Sequence, residues 1–259
     1  MWSRTIIKSN AKAALRGKFW IAFAVVLTVS ILPNMMSIIT TYFDPNPSTS
    51  YTSASDFNYA LGGLLGWAFL FLCIFVVIPL TIGKNRFFVQ NRFGHTQYDN
   101  VFSGFRHGYG SSVLTSFVTY LLIGLWSLLL FVPGIIKALE YSMVPFILSD
   151  NPNIDGSRAR QISRMMTDGE KSNIFVLYLS FLGWCLIPFV ADVAVAHFSP
   201  VLGIALFCIG MFFVESYISA TFAELYVFLR DRAIQSGMVH PAELNLMPPQ
   251  EQYPQQPQM

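Results

Sequence analysis

The sequence has little charge and little cysteine. Charged residues make up 12% of its 259 residues, whereas soluble globular domains carry roughly 25%. Its mean hydropathy is +0.51, which indicates a membrane protein. The cysteines Cys73, Cys185 and Cys208 stand apart in apolar runs. Their spacing therefore predicts neither a disulfide framework nor a cysteine metal site.

Motifs for catalysis and for nucleotide binding are also absent. The sequence contains no glycine-rich phosphate loop, no HExxH and no nucleophile elbow. The formal net charge of +2 says little about partners until the charges are placed along the chain. We therefore expect a non-enzymatic protein with no cofactor, no metal ion and no nucleic acid partner.

Long apolar runs dominate the chain. A spanning helix needs about 20 mostly apolar residues, and five stretches reach or approach that length: 19–43, 61–82, 112–132, 173–195 and 200–228. A shorter run, 135–149, follows Pro133 and Gly134, which we interpret as a tight hairpin turn. This run is either a sixth span or a re-entrant segment, and we favour the span. The predicted fold is an all-α membrane bundle of six transmembrane helices.

The basic residues predict the orientation of these spans. All Lys and Arg residues except Lys137 precede the first span, follow the sixth, or lie between the second and third or the fourth and fifth. The charged residues of the opposite loops are Asp44, Asp56 and Asp192. Lys and Arg accumulate in the short cytoplasmic segments of membrane proteins. We therefore expect a multi-pass protein with both termini in the cytoplasm.

A short amphipathic segment precedes each predicted pair of spans. The first shows basic residues at a spacing of four along one side: Arg4, Lys8, Lys12 and Arg16. Its apolar residues fall on another side: Trp2, Ile6 and Ala13. The second has apolar residues at helical spacing: Tyr98, Val101, Phe102 and Phe105. The third places apolar residues on one face, Ala159, Ile162, Met165 and Met166, and two basic residues on another, Arg160 and Arg164.

These segments indicate a threefold internal repeat. Each ends in a glycine next to a polar or aromatic residue: Gly17–Lys18, Gly108–Tyr109 and Gly169–Glu170. The repeating unit is an interfacial helix plus a transmembrane hairpin, over residues of about 1–95, 96–150 and 151–235. The Pro- and Gln-rich remainder, 236–259, has too few apolar residues for a core, so we expect a disordered cytoplasmic tail.

Several polar residues fall inside the predicted spans: Lys137, Glu140, Tyr141, Glu215 and Tyr217. A charged side chain at the centre of a span costs about 2.5–3.5 kcal/mol on insertion scales, so it usually faces the bundle interior. Lys137 can pair with Glu140 at i,i+3. Glu215 has no basic residue in its own span, so we expect it to be protonated, to reach Lys137 or Lys84, or to contact water. Such residues either lock the bundle or line a polar route.

Five sequence blocks resemble a known family: "MWSR", "AKAALRGKFW", "VFSGFRHGYG", "LWSLLLFVPGIIKALEYSMVPFILSDNP" and "FLGWCL". They are similar to bacterial integral membrane proteins grouped as domain of unknown function 975. The resemblance covers nearly the whole chain apart from the tail. It implies a multi-span protein of the bacterial cytoplasmic (plasma) membrane, and it supplies no catalytic or ligand-binding residues.

Two functional hypotheses follow. The first is a scaffold or lipid-interacting factor, in which seven residues of the basic segments face anionic lipid: Arg4, Lys8, Lys12, Arg16, Arg158, Arg160 and Arg164. The alternative is a transporter or channel for a small solute or ion, whose route is lined by Glu140, Glu215 and Lys137. Membrane lipids are the expected partners, and protein partners and homo-oligomers stay open.

Overall fold

The computed structural model describes residues 2–43, 53–106 and 108–246, and every regular element within these residues is helical. This confirms the predicted all-α class. The α-helices are α1 (Arg4–Leu15), α2 (Phe19–Phe43), α3 (Ser53–Leu72), α4 (Ile78–Arg92), α5 (Ser103–Arg106), α6 (Tyr109–Leu129), α7 (Phe131–Glu140), α8 (Val144–Asp150), α9 (Gly156–Thr167), α10 (Lys171–Leu179), α11 (Leu182–Ala196) and α12 (Pro200–Gln235). A π-helical segment, Cys73–Val77, joins α3 to α4, and 3₁₀ turns cover Tyr98–Phe102 and Pro241–Leu244.

Among the described residues, five helices are long and apolar enough to cross a membrane: Gly63–Arg92, Tyr109–Leu129, Phe131–Asp150, Lys171–Val195 and Leu202–Gln235. They correspond to the second to sixth predicted spans. The first predicted span, 19–43, coincides with α2. The part Phe19–Asn34 is long and apolar enough to cross a membrane only when it is counted together with α1, and the two helices are bent by 98° relative to each other.

The buried core occupies one end of the molecule. It is built mainly from α1, the first part of α2, the helices α4, α8 and α9, and the C-terminal half of α12. At the opposite end the helices expose large apolar side chains, such as Leu128 at 86% and Phe131 at 77% around the α6–α7 turn. Soluble proteins rarely expose continuous apolar surface on this scale. We refer to the end that carries the core and most charges as the basic end.

Helix α1 buries a different side from the one predicted. Its buried residues are Ile7, Ala11 and Leu15, whereas Ile6 is 57% exposed. The spacing of four places these three along one line of the helix, next to the basic row that starts at Arg4. Trp2 is buried as predicted. The row of basic residues therefore runs along the edge of the contact between α1 and α12.

The second amphipathic segment is less regular than predicted. It consists of the 3₁₀ turn Tyr98–Phe102 and the single turn of α5, and of its four predicted apolar residues only Val101 is buried. Two glycines let this segment lie directly on α4. A Cβ on Gly83 would stand 1.8 Å from the carbonyl oxygen of Val101, and one on Gly104 would stand 2.2 Å from that of Pro79. The segment therefore packs on α4 through backbone contacts at these glycines and not through the predicted apolar face.

The turn between α6 and α7 also differs from the prediction. It is made by the single extended residue Leu130, with φ −154° and ψ 135°. Pro133 and Gly134 lie in the first turn of α7, where the missing N–H of proline costs no helical hydrogen bond. A Cβ on Gly134 would stand 2.3 Å from Oγ of Ser127. The glycine therefore serves the close packing of α6 on α7 rather than the turn itself.

The three glycines that end the amphipathic segments share one backbone conformation. Gly17 has φ +76°, Gly108 has φ +59° and Gly169 has φ +73°. Side chains other than glycine rarely adopt this left-handed region, because Cβ then crowds the following carbonyl. The same chain reversal therefore occurs at the start of α2, α6 and α10.

The predicted tail boundary at residue 236 is wrong. Residues up to 246 continue the structure, and both Val239 and Leu244 are buried. Asn151 donates a hydrogen bond to the carbonyl of Glu243, and Asn245 donates one to the carbonyl of Asp150. Two apolar anchors and side-chain hydrogen bonds hold a segment too short to form a core of its own. Residues 247–259 lie outside the described residues.

Candidate functional site

Glu140 holds a three-residue charge cluster. Glu140 is the last residue of α7, and its side chain is 5% exposed. Nζ of Lys137 lies 2.6 Å from its Oε2. Nζ of Lys171, the first residue of α10, lies 2.6 Å from Oε1. Lys137 also stands 5.6 Å from the ring centroid of Trp126 and 5.8 Å from that of Tyr141. The carboxylate therefore links α7 to α10. The predicted i,i+3 pair with Lys137 supplies only one of its two lysine partners.

The helix break after Glu140 is bridged by one serine of α9. The carbonyl of Glu140 would accept from the N–H of Val144 in a continuous helix, but that N–H bonds the carbonyl of Tyr141. Oγ of Ser163 instead donates to the Glu140 carbonyl at 2.6 Å. The same Oγ accepts from the N–H of Met143 at 3.2 Å. A buried side chain thus satisfies two backbone groups that the break leaves free.

Glu215 lies in a separate cluster. Its Oε1 is 2.8 Å from Nζ of Lys84 in α4, and its Oε2 accepts a hydrogen bond of 2.9 Å from Oγ of Ser30 in α2. Its side chain is 33% exposed. Of the partners considered for Glu215 from the sequence, the structure selects Lys84. Glu215 joins α12 to α4 and α2, away from Glu140.

Further ion pairs at the basic end were not predicted. They connect helices that are distant in sequence: Arg92–Glu224 at 2.9 Å, Arg230–Asp150 at 3.2 Å and Arg232–Glu170 at 2.7 Å. Glu170 also accepts from the indole N–H of Trp2 at 3.0 Å. Burial raises the pKa of Glu170, but hydrogen bonds from Asn173, Arg232 and Trp2 outweigh it and hold the pKa below its ordinary value. No spacing in the sequence signals these long-range partners.

Arg158, one of the predicted lipid-facing residues, has a carboxylate partner. Its Nε lies 2.7 Å from Oε2 of Glu243, and its second terminal nitrogen donates to Oε1 at 3.1 Å. This forked pair fixes the segment that follows α12 onto α9. The hydrogen bonds from Arg158 and, more weakly, from the N–H of His240 hold the pKa of Glu243 below its ordinary value. A disordered tail over residues 236–259, as predicted from the sequence, would leave Arg158 without this partner.

The other lipid-facing candidates behave differently. Among the described residues, no carboxylate lies within ion-pair distance of these six: Arg4, Lys8, Lys12, Arg16, Arg160 and Arg164. All of them are exposed or half-buried. The basic residues of the described chain thus divide into a paired group that joins helices and a group without carboxylate partners. The second group also includes Lys18, Arg86 and Arg106.

A polar cavity lies between α1 and the helices α10–α12. It has a volume of about 720 Å³ and is lined by Trp2, Ser3, Arg4, Thr5, Lys8, Ser9, Lys12, Asn173, Ser180, Trp184 and Tyr217. Nζ of Lys8 lies 4.3 Å from the ring centroid of Phe181, and Nζ of Lys12 lies 5.8 Å from that of Tyr217. Burial, together with the charges of Arg4 and Lys12, lowers the pKa of Lys8.

An apolar cavity of about 370 Å³ adjoins the polar one. Its lining consists of Lys12, Leu15, Arg16, Phe19, Trp184, Phe213, Val214 and Tyr217. Lys12, Trp184 and Tyr217 line both cavities. We call the two together the α1 groove. Arg4 and Lys8 line only the polar cavity, whereas Phe19 and Phe213 line only the apolar one, which Arg16 also lines.

A third cavity of about 360 Å³ lies beside Tyr141. Six of its ten lining residues carry a hydroxyl group, and one of these groups, Oγ of Ser116, is buried without a hydrogen-bond partner among the described residues. The predicted intramembrane set therefore divides into three places. Lys137, Glu140 and Tyr141 come together, Glu215 joins Lys84, and Tyr217 lines the α1 groove.

The described residues thus form a helical protein with several membrane-span-like helices and a core at its basic end. Residues 118–233 match the model of a family described as "Protein of unknown function (DUF975)". This match confirms, over residues 118–233, the family that the sequence resembles. No curated protein and no solved structure gave a significant match.

Proposed function

We propose that this protein is a non-enzymatic, multi-pass protein of the bacterial cytoplasmic membrane that interacts with anionic lipid through its basic end. The observation that carries the proposal is the division of its basic residues. Those that join helices have carboxylate partners. The six candidates on or directly after α1 and on α9 have none among the described residues, and neither have Lys18, Arg86 and Arg106. Each Lys or Arg near an anionic leaflet contributes about 1 kcal/mol of attraction.

A topology with six spans in three parallel repeats accompanies this proposal. It is supported by the left-handed glycines Gly17, Gly108 and Gly169, which stand at the three junctions between amphipathic segment and span. It is also supported by the 98° bend between α1 and the start of α2. If α2 crosses the membrane, such a bend places α1 nearly parallel to the surface, where its basic row meets the headgroups.

Lipid enrichment around the full-length protein tests the proposal. The protein would be extracted in polymer nanodiscs from membranes of mixed zwitterionic and anionic lipid, and the retained lipids quantified. We expect Arg160→Gln combined with Arg164→Gln to lower the anionic fraction. The control is Arg158→Gln combined with Glu243→Gln, which removes a charge pair without changing the net charge and should leave the fraction unchanged. Equal fractions in wild type and in the Arg160/Arg164 variant would refute the proposal.

No specific observation favours the transport alternative. That hypothesis needs an ionisable group facing a cavity, but none of the cavities described above is lined by Lys137, Glu140 or Glu215. Both carboxylates have lysine partners instead. Transport therefore stays a hypothesis from the sequence.

A further inference from the structure

The α1 groove has the charge expected of an anion site. Arg4, Lys8 and Lys12 line its polar cavity, and no carboxylate is among the residues that line it. Like charges three or four residues apart on a helix repel each other. Burial and this repulsion already lower the pKa of Lys8. A bound anion would relieve the repulsion, whereas a neutral ligand would not.

The size of the polar cavity indicates more than a phosphate group. Its volume is about 720 Å³, and a water molecule occupies about 30 Å³ in the liquid, so a phosphate with its five heavy atoms would leave most of it empty. The remaining lining includes the hydroxyl groups of Thr5 and Ser180 and the amide of Asn173. Such groups suit a headgroup that itself carries hydroxyls.

The adjoining apolar cavity supplies a place for a hydrocarbon chain. Phe19, Phe213 and Val214 line it on the far side of the wall formed by Lys12, Trp184 and Tyr217. Aromatic side chains of this kind are common where headgroups meet acyl chains. A ligand that fills both cavities must therefore be anionic at one end and apolar at the other.

We propose that the α1 groove binds one anionic phospholipid with a hydroxylated headgroup, of the phosphatidylglycerol type. Its phosphate contacts Lys8 and Lys12, and one acyl chain lies against Trp184 and Phe213. This inference rests on the proposed function. It adds a single built site to the general attraction of the basic end for anionic lipid.

Native mass spectrometry of the full-length protein in detergent tests the site, with phosphatidylglycerol as the titrant. We expect one lipid bound with a distinct affinity. Each basic contact contributes a factor of roughly fivefold, so Lys8→Gln with Lys12→Gln should weaken binding about 30-fold. Arg160→Gln with Arg164→Gln removes the same charge outside the groove and should change the affinity of this lipid less than about threefold.

These two charge-matched variants separate the site from the proposed function. Equal weakening in both would overturn the groove and leave general lipid attraction standing. Weakening in neither would overturn the groove, and the nanodisc measurement would still decide the proposed function. A stronger effect of Lys8→Gln with Lys12→Gln supports the site. Phosphatidylcholine binding as tightly as phosphatidylglycerol would overturn the role of the charge.

The apolar cavity has its own test. Val214→Trp places a large side chain where the acyl chain would lie, so lipid binding should weaken at least about tenfold. The control Val190→Trp adds the same side chain at a position of α11 that is 61% exposed and does not line the groove. Equal binding by the two variants would overturn the acyl-chain part of the proposal, as would soluble glycerol 1-phosphate competing as well as the lipid.

Discussion

Ser163→Ala tests how α9 supports the broken helix that carries Glu140. The side chain of Ser163 is fully buried and bonds two backbone groups, the carbonyl of Glu140 at 2.6 Å and the N–H of Met143 at 3.2 Å. Alanine removes both contacts while keeping the size and the helix propensity of the position close to the original. The perturbation therefore acts on backbone hydrogen bonds and hardly on packing.

The expected cost follows from those two groups. A buried backbone group left without a partner costs about 1–3 kcal/mol. The N–H of Met143 would lose its bond, whereas the carbonyl of Glu140 would keep a long contact of 3.5 Å with Oγ1 of Thr167. We therefore expect a loss of about 2–4 kcal/mol. At about 2–4 °C per kcal/mol for a chain of this size, Tm should fall by roughly 5–15 °C.

Ser149→Ala is the matched control. Ser149 is 1% exposed, and its Oγ donates only to the carbonyl of Phe146, three residues earlier in α8. That helical carbonyl does not depend on the serine, so the loss should stay below about 1 kcal/mol. Thermal unfolding of both variants in the same detergent makes the comparison. Equal Tm values would refute the role of Ser163 as the bridge across the break.

Two other predictions concern the ends of α9. Gly169→Ala forces a side chain into the left-handed region at φ +73° and should lower the free energy of unfolding by about 1–2 kcal/mol. The control Gly124→Ala lies at a helical position with equally open surroundings and should be neutral or stabilising. An equal loss of Tm in both variants would contradict the backbone argument. The Arg158 pair depresses the pKa of Glu243, so the docking of 239–246 should be complete above the ordinary Glu pKa of about 4.3 and be lost as pH falls through the lower value of the folded state. Arg158→Gln should speed amide exchange across 239–246 at neutral pH, while Arg160→Gln should not, and equal exchange rates would exclude the pair as the clasp.

The sequence was sufficient to predict the all-α class and the positions of the long apolar helices. A span is a local property, since some 20 consecutive residues decide it. The positions of Gly17, Gly108 and Gly169 could be recognised for the same reason, because glycine is the residue that most readily adopts positive φ at the end of a helical segment. The prediction failed in which line of residues α1 buries. Ile6 and Ala13 looked like the apolar side of α1 together with Trp2, but packing on α12 buries the neighbouring line Ile7, Ala11 and Leu15.

The candidate sites were harder to predict because their partners are distant in sequence. The pair Lys137–Glu140 could be expected from its spacing of three, but the third member, Lys171, comes from a helix 31 residues further on. Glu215 likewise finds Lys84 at a separation of 131 residues. A single sequence restricts which residues need a partner but does not say which partner the packing brings near.

The two groups of basic residues follow from one physical rule applied in two environments. Where helices pack tightly, an unpaired charge would lose its hydration without compensation, so Arg230 with a side-chain exposure of 7% has the carboxylate of Asp150 beside it. On α1 the basic row borders the core without entering it, and no acidic side chain of the described residues neutralises it. Lys8 is partly desolvated all the same. A lysine that loses hydration without gaining an acidic partner from its own chain is best stabilised by an anion from outside the protein. Beside an apolar cavity lined by Trp184 and Phe213, a phospholipid can bring that anion and an acyl chain together.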